Sequence, residues 1–292
     1  MILVVGATGH LGSVVCERLA KRDRPIRVLV RATSKPESLE HLRSLGAELV
    51  EGDLQVRPSL DKACAGIDAV ISSASSSSSR VGSYIATVDL EGQRNLIGAA
   101  KGAGVDRFVF VSFSSNLTTD SPLNRAKRTI EAEVQASGLG YTIIRSSFFM
   151  EYWLSPLIGV DYPNRRAMIF GAGENAISWI TIGDVAESAA IAADAAAAKD
   201  QVIDIGGPEA LSPNEALRQF EAVIGAPFET TYVPESALEA QMAGTDDAHT
   251  QSVTALSLDF AHGDVVDTSN MTARLPFERA TVRQYIEALP DR

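Results

Sequence analysis

Short apolar runs alternate with amphipathic stretches along the first half of this chain. The runs predict strands at 2–5, 26–30, 48–51, 68–73, 107–112 and 141–145. Runs such as Phe108-Val-Phe-Val111 and Tyr141-Thr-Ile-Ile144 are nearly continuous, as in strands covered on both faces. Between them, the helical period predicts helices at about 11–22, 36–45, 58–65, 83–103 and 124–137. Strict alternation of strand and helix predicts an α/β fold, a doubly wound parallel sheet, with ligands at the carboxyl ends of its strands.

The second half is less regular. Phe148 to Arg166 is rich in aromatic residues and reads as a pocket-forming loop with a short helix. Short strands are expected at 167–170 and 178–181, and Asp184 is expected to cap an alanine-rich helix to about Ala198. Gln201 to Ile205 reads as a strand that returns to the main sheet, and Ser212 as the cap of a helix to about Ile224. From Pro227 the chain reads as a small lobe ending in a helix at 281–288, with the polar stretch Thr245–Ser257 as a mobile lid. The expected division is a nucleotide-binding unit at 1–147, completed by the strand near 201–205, and a smaller C-terminal substrate lobe at 148–292.

The first strand runs directly into Gly6-Ala7-Thr8-Gly9-His10-Leu11-Gly12, and a helix follows at once. Gly6 suits the sharp turn, Gly9 allows backbone to approach a pyrophosphate, and Gly12 allows close helix–strand packing. The start of the helix offers unpaired N–H groups to the anion. Gly6, Thr8, Gly9, His10, Leu11 and Gly12 are therefore candidate cofactor contacts in a Rossmann-type unit. An acidic residue after the second strand would bind the ribose 2′-hydroxyl of NAD. Here Arg31 stands in that place, with Ser34 and Lys35 close behind, which suits a 2′-phosphate. NADP(H) is thus expected in preference to NAD(H), with a solvated basic loop as the alternative. Ser73 and Ala74 end the fourth strand and are candidate cofactor neighbours. The five serines from Ser75 to Ser79 read as phosphate or ribose ligands, with a flexible low-complexity loop as the alternative for Ser76 to Ser79.

The glycine spacing with Ala7-Thr8 inside it, Val30-Arg31, and Glu51-Gly-Asp53-Leu54 together resemble the atypical short-chain dehydrogenase/reductases, the NmrA-like branch in particular. That resemblance implies that Asp53 binds the adenine amino group and Leu54 packs on the ring; on its own residues, Asp53 also reads as a cap or turn before the 58–65 helix. It also implies a serine after the fifth strand and a Tyr-x-x-x-Lys on the next helix. Val111-Ser-Phe-Ser-Ser115 supplies Ser112 as a cofactor neighbour and Ser114 as the catalytic serine. Lys127 fills the lysine position, but Leu123 stands where the tyrosine belongs. Isoflavone reductase-like relatives also lack that tyrosine, and Ile130-Glu-Ala-Glu133 and Tyr141-Thr142 resemble their pattern. By that resemblance Lys127 acts as general acid or orients the cofactor; the plain alternative is a surface lysine paired with Glu131. Arg145-Ser-Ser-Phe148-Phe149-Met150 resembles the nicotinamide-facing segment and makes Phe148 a cofactor neighbour. Phe149, Tyr152 and Trp153 are candidate walls for a flat substrate, or core packing between sheet and lobe.

Composition narrows the partners. The chain has 292 residues, 45% of them hydrophobic, and a net charge of −11. An acidic surface repels nucleic acid and anionic membrane. No apolar run of about 18 residues predicts a membrane span, and a strand beginning at Met1 leaves no room for a signal peptide, so a cytoplasmic location is expected. Cys16 and Cys64 lie on separate predicted helices and read as buried apolar residues. The four histidines form no metal-ligand spacing. The leading expectation is an NADPH-dependent oxidoreductase acting on a small, aromatic carbonyl, quinone or activated alkene. The alternatives are a non-catalytic NADP(H) sensor that engages a protein partner, and an assembly factor on the same scaffold.

Overall fold

Seven short strands, apolar on alternate sides, form one parallel sheet. They are β1 (Ile2–Val5), β2 (Ile26–Val30), β3 (Glu48–Glu51), β4 (Ala69–Ser72), β5 (Arg107–Phe113), β6 (Gly140–Ser146) and, later in the chain, Gln201–Ile205. The computed structural model describes residues 1–76 and 84–290. Between β6 and the seventh strand of the sheet come β7 (Val160–Asp161) and β8 (Arg166–Phe170), so that seventh strand is β9. The order across the sheet is β3-β2-β1-β4-β5-β6-β9, which reverses direction between β1 and β4. In such a sheet the ligand crevice lies beyond the carboxyl ends at that reversal.

Strand alternation divides the core in two. Ile2, Val4, Val28, Ile71 and Val109 face one side, with α1 (His10–Ala20), α2 (Pro36–Ser44) and a later helix. Leu3, Val5, Leu29, Val70, Phe108 and Phe110 face the other, against α3 (Arg57–Cys64), α4 (Gln93–Ala103) and α5 (Pro122–Ala136). The period of two on a strand makes this partition unavoidable once both faces are covered. Cys16 and Cys64 are buried among these side chains, and burial pushes their thiols up to about 12 and about 11.

The chain then leaves the sheet through α6 (Met150–Trp153), crosses β7 and β8, and comes back as α7 (Ile182–Ala192), which packs on α1. After β9 come α8 (Pro213–Ile224), β10 (Glu229–Val233), α9 (Glu235–Ala243), α10 (Ala248–His262), α11 (Ser269–Arg274) and α12 (Val282–Glu287). A second sheet, β10-β8-β7, and a core around Trp179, Phe220 and Phe260 make up the lobe. Among the described residues no helix is long and apolar enough to cross a membrane.

Four local expectations need correction. Thr181, not Asp184, caps α7: its Oγ accepts from Asp184 N at 3.0 Å, and the Asp184 carboxylate accepts from Ala280 N at 3.2 Å. That helix stops at Ala192, with only a 3-10 turn at Ala196–Ala198. Residues 178–181 form no strand; Ile177 and Ile180 make isolated bridges instead. Thr245–Ser257 is not a mobile lid. It is largely α10, capped by Asp247 and packed on α5 and α9, with Ser252, Thr254 and Ser257 buried. Ser252 Oγ donates to Ala248 O at 2.6 Å and Ser257 Oγ to Val253 O at 3.1 Å. Small hydroxyls that bond their own helix can be buried cheaply, so the polar pattern misleads. The helix expected from residue 83 begins outside the described residues and continues as a π-helical segment, Ile85–Gly92, before α4.

Candidate functional site

The turn after β1 is built to a tolerance that only glycine meets. Gly6 has φ +92°, and a Cβ there would lie 2.7 Å from Ala74 N. A Cβ on Gly12 would lie 2.2 Å from Gly6 O. Gly9 differs: its backbone is extended, and its Cβ would meet only Gly6 O, at 3.3 Å. No side chain caps α1, whose N-cap is Gly9. The start of that helix thus keeps its N–H groups for an anion.

The turn forms one side of a cleft of about 330 Å³ at the carboxyl ends of β1, β2, β3 and β4. Gly6, Thr8 and Gly9 contribute from the turn, and Leu29 and Arg31 from the end of β2. Gly52, Asp53, Leu54 and Gln55 follow β3, and Ser73, Ala74, Ser75 and Ser76 follow β4. Tyr84 and Val88 close the cleft from the π-helical side. Ser34 Oγ accepts from Arg31 N at 3.0 Å, which turns the chain so that Arg31 is presented. Asp53 Oδ1 accepts from Gln55 N at 2.8 Å, a local turn; the cap of α3 is Val56. Gly92 lets the π-helical segment approach: a Cβ there would lie 2.9 Å from Leu54 Cβ. A dinucleotide fits this site: a turn too tight for a Cβ at Gly6 or Gly12, an uncapped helix start beside it, and an arginine where a 2′-phosphate requires a cation.

Other candidate residues stand elsewhere. Leu11, Gly12, Ser34 and Lys35 flank the cleft without lining it, and Ser112, Lys127 and Phe148 are buried outside its lining. Lys127 is 3% exposed, so it is no surface lysine. Its Nζ lies 3.4 Å from Val111 O and 3.9 Å from Asp89 Oδ1, over the rings of Phe110 and Phe113. Burial lowers its pKa, against the opposing pull of Asp89 and Glu131. Glu131 is not its ion-pair partner. That carboxylate accepts from Ser112 Oγ, Arg128 and Arg145. Leu123 is 1% exposed and packs with Ile85 and Ala126, so apolar side chains fill the place of the family tyrosine.

Ser114 is fully buried. Its Oγ donates to Asp264 Oδ1 at 2.6 Å, and Asn116 Nδ2 donates to the same oxygen at 2.9 Å. The serine thereby ties the end of β5 to the lobe. Phe148 is 4% exposed and sits edge-on to Trp153 and Phe260, while Trp153 stacks on Phe260 at 4.8 Å. Phe148 and Trp153 are therefore part of the lobe's core. Phe149 and Tyr152 are only partly buried; their rings are 6.1 Å apart, and Tyr152 meets the exposed His10 edge-on at 6.1 Å. His10 directly follows Gly9 of the turn, so the three rings lie beside the turn without lining the cleft.

Tyr84, Val88, Gln55 and Leu29 line the cleft without any sequence motif naming them, and Gly52 lines it from within the Glu51–Leu54 motif. Ser75 and Ser76 are the part of the serine run that does; Ser77, Ser78 and Ser79 lie outside the described residues.

The sequence model of the NmrA-like family matches residues 1–275. The chain is 31% identical over 257 residues to the isoflavone reductase homolog IRL of Zea mays, covering 82% of this chain and 80% of that one. It is 31% identical over 247 residues to the NAD(P)H azoreductase of Xenophilus azovorans, covering 84% and 80%. An NADPH-dependent quinone oxidoreductase of Escherichia coli, solved with NADPH, superposes with a TM-score of 0.80 at 23% identity, covering 98% of this chain and 99% of that one. A solved isoflavone reductase superposes with a TM-score of 0.77 at 26% identity, covering 98% and 97%.

Proposed function

The chain belongs to the NmrA-like family, and on that premise we propose that it is an NADPH-dependent oxidoreductase whose bound cofactor supplies hydride to a small aromatic acceptor. One observation carries the cofactor choice: Arg31 stands on the cleft wall after β2, beside the glycine turn. Relatives named as an isoflavone reductase homolog and an NAD(P)H azoreductase support the reaction class.

In this reading Gly6, Thr8 and Gly9 cradle the pyrophosphate, Arg31 pairs with the 2′-phosphate, and Asp53 and Leu54 take the adenine. Phe149, Tyr152 and His10 border the acceptor. Leu123 has no proton to give and Lys127 is walled off, so the proton for the reduced acceptor comes from the Tyr152 hydroxyl or from solvent beside the exposed His10. Burial raises the Tyr152 pKa and makes it a weak acid, so the favoured acceptor is one whose two-electron product is a stabilised anion. That places a quinone ahead of an unactivated ketone.

The closed packing around Leu123 and Lys127 favours a second reading, an NADP(H) sensor without turnover. Titration with NADPH and NADH, followed by loss of NADPH absorbance against quinones, azo dyes and aromatic carbonyls, separates the two. Turnover led by quinones supports the reductase. Tight NADPH binding with no turnover across the panel supports the sensor.

Arg31→Ala tests the cofactor choice. A charge-assisted contact to phosphate, discounted for the exposure of Arg31, predicts a loss of about tenfold in NADPH affinity. NADH affinity should change less than twofold. Equal loss for both cofactors would show that Arg31 does not meet a 2′-phosphate.

A further inference from the structure

Residues 73–76, which follow β4, have no secondary structure of their own, yet all four form a cleft wall. One neighbouring helical stretch holds it. Ser72 Oγ donates to Gln93 Oε1 at 2.8 Å, and Gln93 Nε2 donates to Ala74 O at 3.2 Å. Four residues before Gln93, Asp89 repeats the arrangement further along. Its Oδ1 accepts from Ser75 Oγ at 2.8 Å, and its Oδ2 accepts from Ser76 N at 3.0 Å and from Ser76 Oγ.

Asp89 is 1% exposed. A carboxylate so placed is costly unless a cation offsets it. The cation is Lys127, with Nζ 3.9 Å from Asp89 Oδ1. Among the described residues, Lys127 also meets a carbonyl, Val111 O, and two ring faces. Asp89 also sits in the π-helical segment Ile85–Gly92. Such a segment carries an extra residue per turn at a cost in hydrogen-bond geometry, and it persists where side-chain interactions on that turn compensate.

We infer that Asp89 is a positioning residue: it fixes the Ser75–Ser76 wall of the cofactor cleft, and Lys127 serves as its buried counter-charge. This rests on the reading of the cleft as an NADPH site. It gives Lys127 a purpose that needs no opening to the acceptor. It also assigns a role to the first part of the serine run.

The test compares the wild type with Asp89→Asn, Ser76→Ala, Lys127→Met and two double variants. Asparagine keeps the shape of Asp89, but its amide group confronts the serine donors. Asp89→Asn should weaken NADPH about tenfold, roughly 1.4 kcal/mol. In the cofactor-free protein the Ser76 amide should exchange with deuterium faster, while the melting temperature moves by only a few degrees. Ser76→Ala should weaken NADPH several-fold. Combined with Asp89→Asn it should add less than its own effect, since both act through one contact. Asp89→Asn with Lys127→Met should be more stable than either alone, because neither charge is left unpaired.

NADPH affinity within twofold of wild type in both Asp89→Asn and Ser76→Ala would overturn the inference, as would fully additive losses. If Asp89→Asn fails to fold, Ser76→Ala alone decides, by the same twofold limit. A wild type that does not bind NADPH would overturn the cofactor reading itself, and this inference with it.

Discussion

Gly9→Val is expected to abolish measurable NADPH binding while the cofactor-free protein melts within a few degrees of the wild type. Gly12→Ala is expected to do the opposite, disturbing the fold before any ligand is added. The difference follows from what each new Cβ meets. At Gly12 it would lie 2.2 Å from Gly6 O, a backbone atom that cannot swing aside. Helix α1 would have to lift from β1 and loosen Val15, Cys16 and Leu19, all fully buried. Overpacking of that kind costs about 1–3 kcal/mol, and more when backbone is the obstacle. At Gly9 the backbone is already extended, φ −86° and ψ 168°, which valine adopts readily. The nearest atom is 3.3 Å away. The added isopropyl group points where the pyrophosphate must lie, so the loss falls on binding, at least about a hundredfold, or 2.7 kcal/mol. Melting curves and NADPH titration of the two variants check this. Retained binding in Gly9→Val would remove the pyrophosphate from that turn.

The parts of this molecule that sequence makes legible are those where one constraint dominates. Strands covered on both faces are apolar almost throughout, so β1, β2, β4 and β5 stand out; β3, β6 and β9 carry polar residues and are legible from shorter apolar runs and the alternation with helices. The cleft residues Gly6, Thr8, Gly9, Arg31, Asp53, Leu54, Ser73 and Ala74 are legible for a related reason. They follow directly from strand ends, so locating the strands locates them. Tyr84, Val88 and Asp89 are not legible this way. Tyr84 and Val88 reach the cleft, and Asp89 its serine wall, from the start of a π-helical segment, whose side-chain phase does not follow the α-helical period. Buried polar positions mislead. Ser252 and Ser257 look solvated and are buried in α10, while the spacing of Lys127 and Glu131 reads as a surface pair and Lys127 is 3% exposed, over the rings of Phe110 and Phe113. The β7 and β10 strands escape notice because they are short or exposed, and their pattern carries no core. Resemblance alone places Ser114, Lys127 and Phe148, and it gives position along the chain but not exposure.

Glu131→Ala should produce the largest loss of stability among single polar substitutions near the site. Glu131 is 2% exposed and joins three elements. Its Oε1 accepts from Ser112 Oγ at 2.5 Å and Arg128 at 2.8 Å; its Oε2 accepts from Arg145 Nε at 2.9 Å. Removing it strands a buried hydroxyl and leaves two guanidinium groups and Lys127 without the intervening negative charge. Breaking a buried pair in this way costs about 3–5 kcal/mol. For a domain of this size that is a fall of roughly 10 °C in melting temperature. Arg128 NH2 also donates to Ser114 O at 2.6 Å, so its displacement loosens the end of β5, where Ser114 holds the lobe through Asp264. The cofactor cleft lies at β1 to β4, away from this network, so NADPH affinity of the folded protein should change by no more than a few fold. Glu131→Gln keeps the shape and one acceptor, and should lose about half as much. Arg128 and Arg145 are 30% and 26% exposed, within reach of solvent ions. High salt should therefore recover part of the loss in Glu131→Ala by screening their repulsion. A variant as stable as the wild type, or one whose deficit ignores salt, would show that the three elements are held by packing alone.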